Sequence, residues 1–208
     1  MGLARAMALA VAVVGAASAQ SPSPSPSPPS AGRITPLGVV RAQAVVDSVF
    51  LDRKSHEGWI EGGDWASYLM VRLGVTPLPD SVGILVEVDS QTITFRGRIQ
   101  DIPPEGRAML GPLAALVDSS TVLEADVVSL PAARGLVHFQ LRGVTVGGFP
   151  VPEIVLRSML FNVGEKYPAL TRTGRDLFVQ IPTDATVALA AGGVRLAAPA
   201  LAPGGSRP

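Results

Sequence analysis

The chain has 208 residues with 17 basic and 17 acidic side chains, so its formal net charge is zero. The two signs are interspersed, which argues against a surface that binds nucleic acid. The chain has no cysteine, which excludes disulfides, thiolate metal sites and the lipid-modified cysteine of a bacterial lipoprotein.

The first 19 residues have the pattern of a signal peptide for export. Arg5 supplies the positive start, an apolar core follows, and "ASA" at residues 17–19 is a small-residue cleavage site. The apolar core is shorter than the roughly 20 residues that span a bilayer. We therefore expect a mature chain that begins at Gln20 and is periplasmic or secreted; the alternative is an uncleaved membrane anchor.

Residues 20–33 are predicted to form a disordered linker, because alternating Ser and Pro favour a stiff, solvated polyproline II segment. The alternative is a ligand for a proline-binding domain. Residues 199–208 are also rich in Pro and Gly and are predicted to be a disordered tail. One domain remains, over residues 34–198, which is an ordinary domain size.

The first helix is predicted over residues 37–52, because apolar residues recur there at the spacing of one helix face. A strand is the alternative, since valine is a mediocre helix former. After a polar stretch at residues 53–64, Asp64 is predicted to be the N-cap of a second helix that Gly74 ends. This second helix is apolar on nearly every side, so we expect it to be covered on most of its surface.

Two hairpins follow, one over residues 82–99 with its turn near Asp89 and Ser90, and one over residues 121–147. Apolar and polar residues alternate in both, so each strand has one dry and one wet face. Between the hairpins, within residues 101–120, Met109, Leu110, Leu113, Leu116 and Val117 have helical spacing interrupted by Gly111 and Pro112. This interruption predicts two short helices.

The segment "VTVGGFPVPEIVLRSML", residues 144–160, passes from a strand into a helix. Gly147 and Gly148 are predicted to turn the strand, Pro150 to end its ladder, and Pro152 to begin a helix over residues 152–163. Gly164 suits the cap at the end of that helix.

Two strand-like runs close the domain, at residues 176–182 and 185–198. Helices do not alternate singly with strands anywhere along the chain. The predicted fold class is therefore α+β, with a twisted, mostly antiparallel sheet wrapped around one or more apolar helices.

The sequence contains none of the common motifs of catalysis or of nucleotide and metal binding. His56 is predicted to be a solvated loop residue, and His138 lies on the wet face of a strand without an evident partner. Glu153, in the first turn of a helix, is accounted for by the helix dipole. We expect no catalytic residues, no metal and no cofactor; the alternative is an enzyme whose site the sequence does not reveal.

Four phrases resemble small bacterial members of the tubular lipid-binding superfamily, which includes bactericidal/permeability-increasing proteins and synaptotagmin-like mitochondrial lipid-binding domains. They are "DWASYLMVRL", "TITFRGRI", "VHFQLRGVTVGGFPVPEIVLRSML" and "GRDLFVQIP", and the resemblance covers about residues 60–197. It implies a long twisted antiparallel sheet around a helix, with a lipid held between them by inward apolar side chains.

The expected function is therefore non-enzymatic binding or transport of a phospholipid or similar amphiphile in the cell envelope, with transient contact to a membrane surface. The alternative is an envelope interaction module with a filled core and no ligand. The resemblance implies a lipid-binding set of inward apolar residues, which are Trp65, Leu69, Leu73, Ile93, Phe95, Val137, Phe139, Leu141, Val155 and Met159.

Overall fold

The computed structural model describes residues 31–75, 78, 83–102, 104, 107, 117–167 and 170–199. The predicted signal peptide, the linker up to Ser30, the predicted helix break at Gly111 and Pro112, and the tail from Ala200 lie outside the described residues.

Within those ranges the chain forms three α-helices and ten strands, and the predicted α+β fold is confirmed. The helices are α1 (Pro36–Val46), α2 (Gly62–Arg72) and α3 (Glu153–Lys166). The strands are β1 (Gly32–Arg33), β2 (Glu57–Glu61), β3 (Leu85–Val88), β4 (Thr92–Arg98), β5 (Val122–Leu130), β6 (Leu136–Val146), β7 (Phe149–Pro150), β8 (Asp176–Gln180), β9 (Thr186–Ala190) and β10 (Gly193–Ala197).

The strands form two antiparallel sheets. The larger has the order β1-β3-β4-β5-β6, and β7 and β8 both pair with the outer edge of β6, at opposite ends of that long strand. The smaller has the order β2-β10-β9. The larger sheet begins at Gly32, two residues before the predicted start of the domain.

The smaller sheet differs from the sequence expectation in two ways. Residues 57–61, part of the predicted polar stretch, form β2 because β10 supplies a partner along its whole length. The run at residues 185–198 is two strands, since Gly192 adopts a left-handed φ of 87° and turns the chain between β9 and β10.

A β-bulge divides β6 into two parts. Val127 on β5 pairs with Leu141, but Asp126 pairs with Gly143, so Arg142 has no cross-strand partner. Strict alternation would turn Val144 to the wet side, whereas the extra residue returns it to the dry face. Both ends of the long strand therefore bury apolar side chains on one side of the sheet.

Gly147 and Gly148 turn the chain between β6 and β7 with φ values of 60° and 81°, as predicted. The prediction for Pro150 was wrong, because Pro150 pairs with Thr145 and the ladder continues to the Val151 N–H, which donates to the Val144 carbonyl at 2.9 Å. Proline is tolerated there because β7 is an edge strand.

Both ends of α3 differ from the ends that the sequence predicts. Pro152 is the N-cap rather than the first helical residue, and the helix continues past Gly164 to Lys166. Gly164 is therefore not a cap, and its lack of a side chain serves packing.

Helix α2 lies at the centre of the fold, with every residue from Gly62 to Leu69 buried. It packs against α1, against β1 and β3 of the larger sheet, and against β2 and β10 of the smaller sheet. The expectation that this helix is covered on most sides is confirmed. Its buried serine is satisfied within the core: the Ser67 hydroxyl donates to the Gly63 carbonyl at 2.6 Å and accepts from the Thr35 N–H at 2.9 Å. The buried Trp65 indole N–H, in contrast, has no hydrogen-bond partner among the described residues.

Asp64 has a different role from the predicted N-cap. The helix starts at Gly62, so Asp64 lies within the first turn, where it is buried. Its carboxylate accepts hydrogen bonds from Arg41 of α1, with Nε–Oδ2 and Nη2–Oδ1 distances of 2.7 Å and 2.5 Å. This bidentate pair joins the two helices, and the Arg41 side chain, 51% exposed, keeps contact with solvent while it neutralises the buried carboxylate.

The start of α2 lies directly against β1, backbone to backbone. A Cβ atom on Gly63 would lie 2.5 Å from both the backbone N and O of Arg33, and one on Gly32 would lie 2.5 Å from the Gly63 N. Neither position can hold a side chain without moving the strand away from the helix.

We predict that Gly63→Ala lowers the free energy of unfolding by about 1–3 kcal/mol, the usual cost of overpacking a core. Chemical denaturation would measure the change. Gly143→Ala is the matched control, because a Cβ there meets no atom within 4 Å. Equal stability of the two variants would contradict the close approach of β1 and α2.

Candidate apolar ligand site

An apolar cavity of about 220 Å³ lies between α2 and the dry face of the larger sheet. Eleven of the thirteen described residues around it have apolar side chains, and the other two are a glycine and an arginine. They are Ala66, Leu69, Met70, Leu73, Ile93, Phe95, Val127, Phe139, Leu141, Leu170, Gly174, Arg175 and Leu177.

Two sequence periodicities build this cavity. Ala66, Leu69, Met70 and Leu73 recur at the spacing of one helix face, so α2 presents them together. The strands contribute alternate residues from their dry faces. Six of the ten residues predicted to bind lipid line the cavity: Leu69, Leu73, Ile93, Phe95, Phe139 and Leu141.

The other four predicted residues lie elsewhere. Trp65 and Val137 are buried in the main core, where the Trp65 ring stacks on Tyr68 with centroids 5.7 Å apart. Val155 and Met159 are on α3 and do not line the cavity. Helix α3 instead packs Leu156 and Leu160 in a second small cluster on the sheet, around Val144.

The sequence reasoning did not include Ala66, Met70, Val127, Leu170, Leu177 and the turn before β8. Ala66 and Met70 share the helical spacing of Leu69 and Leu73, which is the signal that could have identified them. Leu177 alternates with Asp176 and Phe178 along β8. Leu170 and Arg175 come from a loop, where no periodicity predicts which side chain points inward.

The cavity volume limits what can enter. Ligand pockets for drug-sized molecules span about 300–1,000 Å³, whereas an apolar protein cavity of about 150 Å³ is large enough for benzene. At about 220 Å³ the space lies between these values. It suits part of one acyl chain better than the two tails of a whole phospholipid.

A neighbouring cleft of about 520 Å³ shares Arg175 with the cavity and is also lined by Leu160 and Phe161. One terminal nitrogen of Arg175 donates to both carboxylate oxygens of Glu153, at 3.0 Å and 2.9 Å. The hydrogen bond from Arg175 holds the pKa of Glu153 below its usual range. Three arginines line the cleft with two carboxylates; the five are Arg157, Arg172, Arg175, Glu153 and Asp176.

The turn that carries Arg175 is held against α3 by two glycines. A Cβ on Gly164 would lie 2.7 Å from the Thr171 carbonyl oxygen, and one on Gly174 would overlap the Leu160 carbonyl. Gly174 also has a left-handed φ of 67°. These positions bring the turn and the helix into backbone contact, which places Arg175 opposite Glu153.

A polar cluster on the wet face borders the cleft. His138 Nε2 lies 2.8 Å from Asp176 Oδ1, the Gln140 amide donates to the same oxygen at 2.8 Å, and the His138 ring stacks on Phe178. The partner of His138 is 38 residues further along the chain, so strand pairing rather than sequence spacing brings them together.

The polar cluster does not have the elements of a catalytic triad among the described residues. A triad needs a nucleophile hydrogen-bonded to the second imidazole nitrogen, and the described hydrogen bonds of His138 include none. Nor do the described His, Asp and Glu side chains form a group of three or more placed to hold a metal ion.

Compared with protein-family models, with curated proteins and with solved structures, the chain shows no significant match. In the part of the chain that the structure describes, none of the helices has the length and apolar character needed to cross a bilayer.

The polar cluster predicts an acid-sensitive contribution to stability. Burial raises the pKa of Asp176, but hydrogen bonds from His138 and Gln140 outweigh it, so the pKa lies below its ordinary value. A carboxyl with a lowered folded-state pKa stabilises the fold above its unfolded pKa of about 4, and this contribution is lost as the pH falls through the folded pKa.

We therefore expect Asp176→Asn to reduce stability near neutral pH and to weaken the loss of stability on acidification below about pH 4. Urea denaturation at a series of pH values would measure both effects. The same pH dependence in both proteins would show that the cluster does not couple protonation to folding.

Proposed function

We propose that the protein binds an apolar chain of a small amphiphile in the cavity and carries it in the cell envelope without changing it chemically. The observation that carries the proposal is the cavity of about 220 Å³, whose described lining is apolar except for Gly174 and Arg175. Placement in the envelope rests on the export signal predicted for residues 1–19.

Burial of an acyl chain supplies the driving force. Each methylene removed from water contributes about 0.8 kcal/mol. The cavity of about 220 Å³ has room for about seven chain groups, if each takes the volume that a water molecule has in the liquid. One stretch of a single chain fits this volume, so we narrow the expected phospholipid or amphiphile to a ligand that inserts one chain.

The resemblance of residues 60–197 to the tubular lipid-binding superfamily stays a prediction. An apolar space between a helix and an antiparallel sheet is what that resemblance implies, and the cavity under α2 has this form. Binding without chemical turnover is likewise part of the proposal.

Filling the cavity should abolish binding. Val127 on β5 lines the cavity, so Val127→Phe places an aromatic ring where the chain would lie. We expect at least about a tenfold loss of affinity for a fluorescent acyl probe, measured by titration. Native mass spectrometry of the protein purified from its cells should show a bound lipid in the wild type and none in the variant.

Val122→Phe is the matched control, because Val122 is an exposed residue of the same strand and does not line the cavity. It should bind the probe as the wild type does. If neither purified wild type nor variants hold a lipid and none takes up the probe, the carrier function is wrong.

A second candidate function is an envelope interaction module, favoured by exposed apolar side chains near α3. Phe149, Ile154 and Phe161 are 78%, 80% and 51% exposed. Ile154 and Phe161 lie two helical turns apart on a face that points away from the buried Leu156 and Leu160. Phe161 borders the cleft, whereas Ile154 is the more exposed of the two.

A photo-crosslinking residue at position 154 tests this second function in the producing cell. An interaction module should give a defined protein adduct from position 154 and none from position 40, where Val40 is 64% exposed on α1. Equal labelling at the two positions would contradict a specific protein partner for these apolar side chains.

A further inference from the structure

We propose that the ligand is a single-chain amphiphile with an anionic headgroup, and that Arg175 binds this headgroup in place of Glu153. The headgroup chemistry is a carboxylate or a phosphate monoester. The inference rests on the proposed function, since it assumes that the chain lies in the cavity under α2.

Arg175 lines both the apolar cavity and the neighbouring cleft. It is the single charged residue among the described lining of the cavity, whereas the cleft combines Arg157 and Arg172 with the apolar Leu160 and Phe161. A molecule with its chain in the cavity and its head in the cleft would therefore lie against Arg175. The cleft, at about 520 Å³, has room for a hydrated headgroup.

The position of Arg175 is fixed through its backbone. Its carbonyl oxygen accepts a hydrogen bond from the Leu141 N–H at 2.9 Å, and Leu141 itself lines the cavity. The preceding Gly174 packs against the backbone of α3. The backbone of Arg175 is thus held by contacts on both sides, which reduces the backbone entropy lost when a ligand binds.

The Arg175 guanidinium has hydrogen-bond donors that Glu153 does not use. It carries five N–H groups in a planar fork that suits carboxylate and phosphate oxygens. Within the described residues, the hydrogen bonds to Glu153 use one terminal nitrogen only. The remaining donors allow Arg175 to form the two parallel hydrogen bonds with an anionic headgroup that Glu153 does not form.

Glu153 occupies the headgroup position when no ligand is bound. Its side chain is 55% exposed, so the ion pair with Arg175 is a surface pair that exchanges readily. Arg157 Nη2 lies 3.7 Å from the same carboxylate and gives Glu153 an alternative partner once it is displaced. An anionic head can replace Glu153 on Arg175, whereas a neutral head leaves the pair intact.

Three ligands with the same chain test this assignment: dodecanoate, dodecyl phosphate and dodecanol, each displacing the fluorescent acyl probe from the full chain below its micelle concentration. We expect at least one anionic ligand to displace the probe at about one tenth of the dodecanol concentration. The comparison of the two anionic ligands distinguishes carboxylate from phosphate. Inorganic phosphate alone should bind far more weakly than dodecyl phosphate.

Two variants test whether the preference for anionic ligands depends on the ion pair between Arg175 and Glu153. Arg175→Gln should remove the difference between anionic and neutral ligands, and Glu153→Gln should strengthen anionic binding several-fold while leaving dodecanol unchanged. Arg98→Gln is the matched control, an exposed arginine of β4 outside both spaces, and should keep the wild-type preference.

Equal displacement by all three ligands in the wild type would overturn this inference and leave the proposed function standing. Failure of all three to displace the probe would overturn both. Binding of inorganic phosphate as tight as that of dodecyl phosphate would replace the headgroup site by a free-anion site. If Arg175→Gln does not fold, the Glu153→Gln variant still tests the inference. An unchanged affinity of that variant for anionic ligands would contradict competition between Glu153 and the headgroup for Arg175.

Discussion

The contact on which the rest of the structure depends is the backbone approach of β1 and the first turn of α2, at Gly32 and Gly63. It places α2 between the two sheets and α1, so that the residues from Gly62 to Leu69 are buried. Burying polar side chains there requires hydrogen-bond partners inside the core. Arg41 and Thr35 are those partners for Asp64 and Ser67.

The cavity follows from the same arrangement. The end of α2 beyond Trp65 extends over the dry face of the larger sheet, while α3 packs around Val144 on another part of that face. Because α2 and α3 cover separate parts of the larger sheet, an apolar space remains beside α2. The turn at Gly174, in contact with α3, brings Arg175 to that space as the one charged residue among its described lining.

Much of the fold could be predicted from periodicity, because residues such as Ile93 and Phe139 face one side of a strand whatever lies opposite. The Arg142 bulge, the pairing of β2 with β10, and the burial of Asp64 could not be predicted, since each depends on a partner distant in the chain. The candidate site divides in the same way. Leu69 and Phe95 were predicted by pattern, whereas Val155 and Met159 matched the pattern but lie away from the cavity.

The sequence by itself determined the α+β class, the two long hairpins, the turn at Gly147 and Gly148, and the apolar character of α2, because these are consequences of local spacing and backbone preference. Only the tertiary structure decided that a space remains beneath α2, that Arg175 lines it and pairs with Glu153, and that His138 meets Asp176. Those features arise from contacts between distant segments, and their geometry depends on how closely backbones approach at a few glycines.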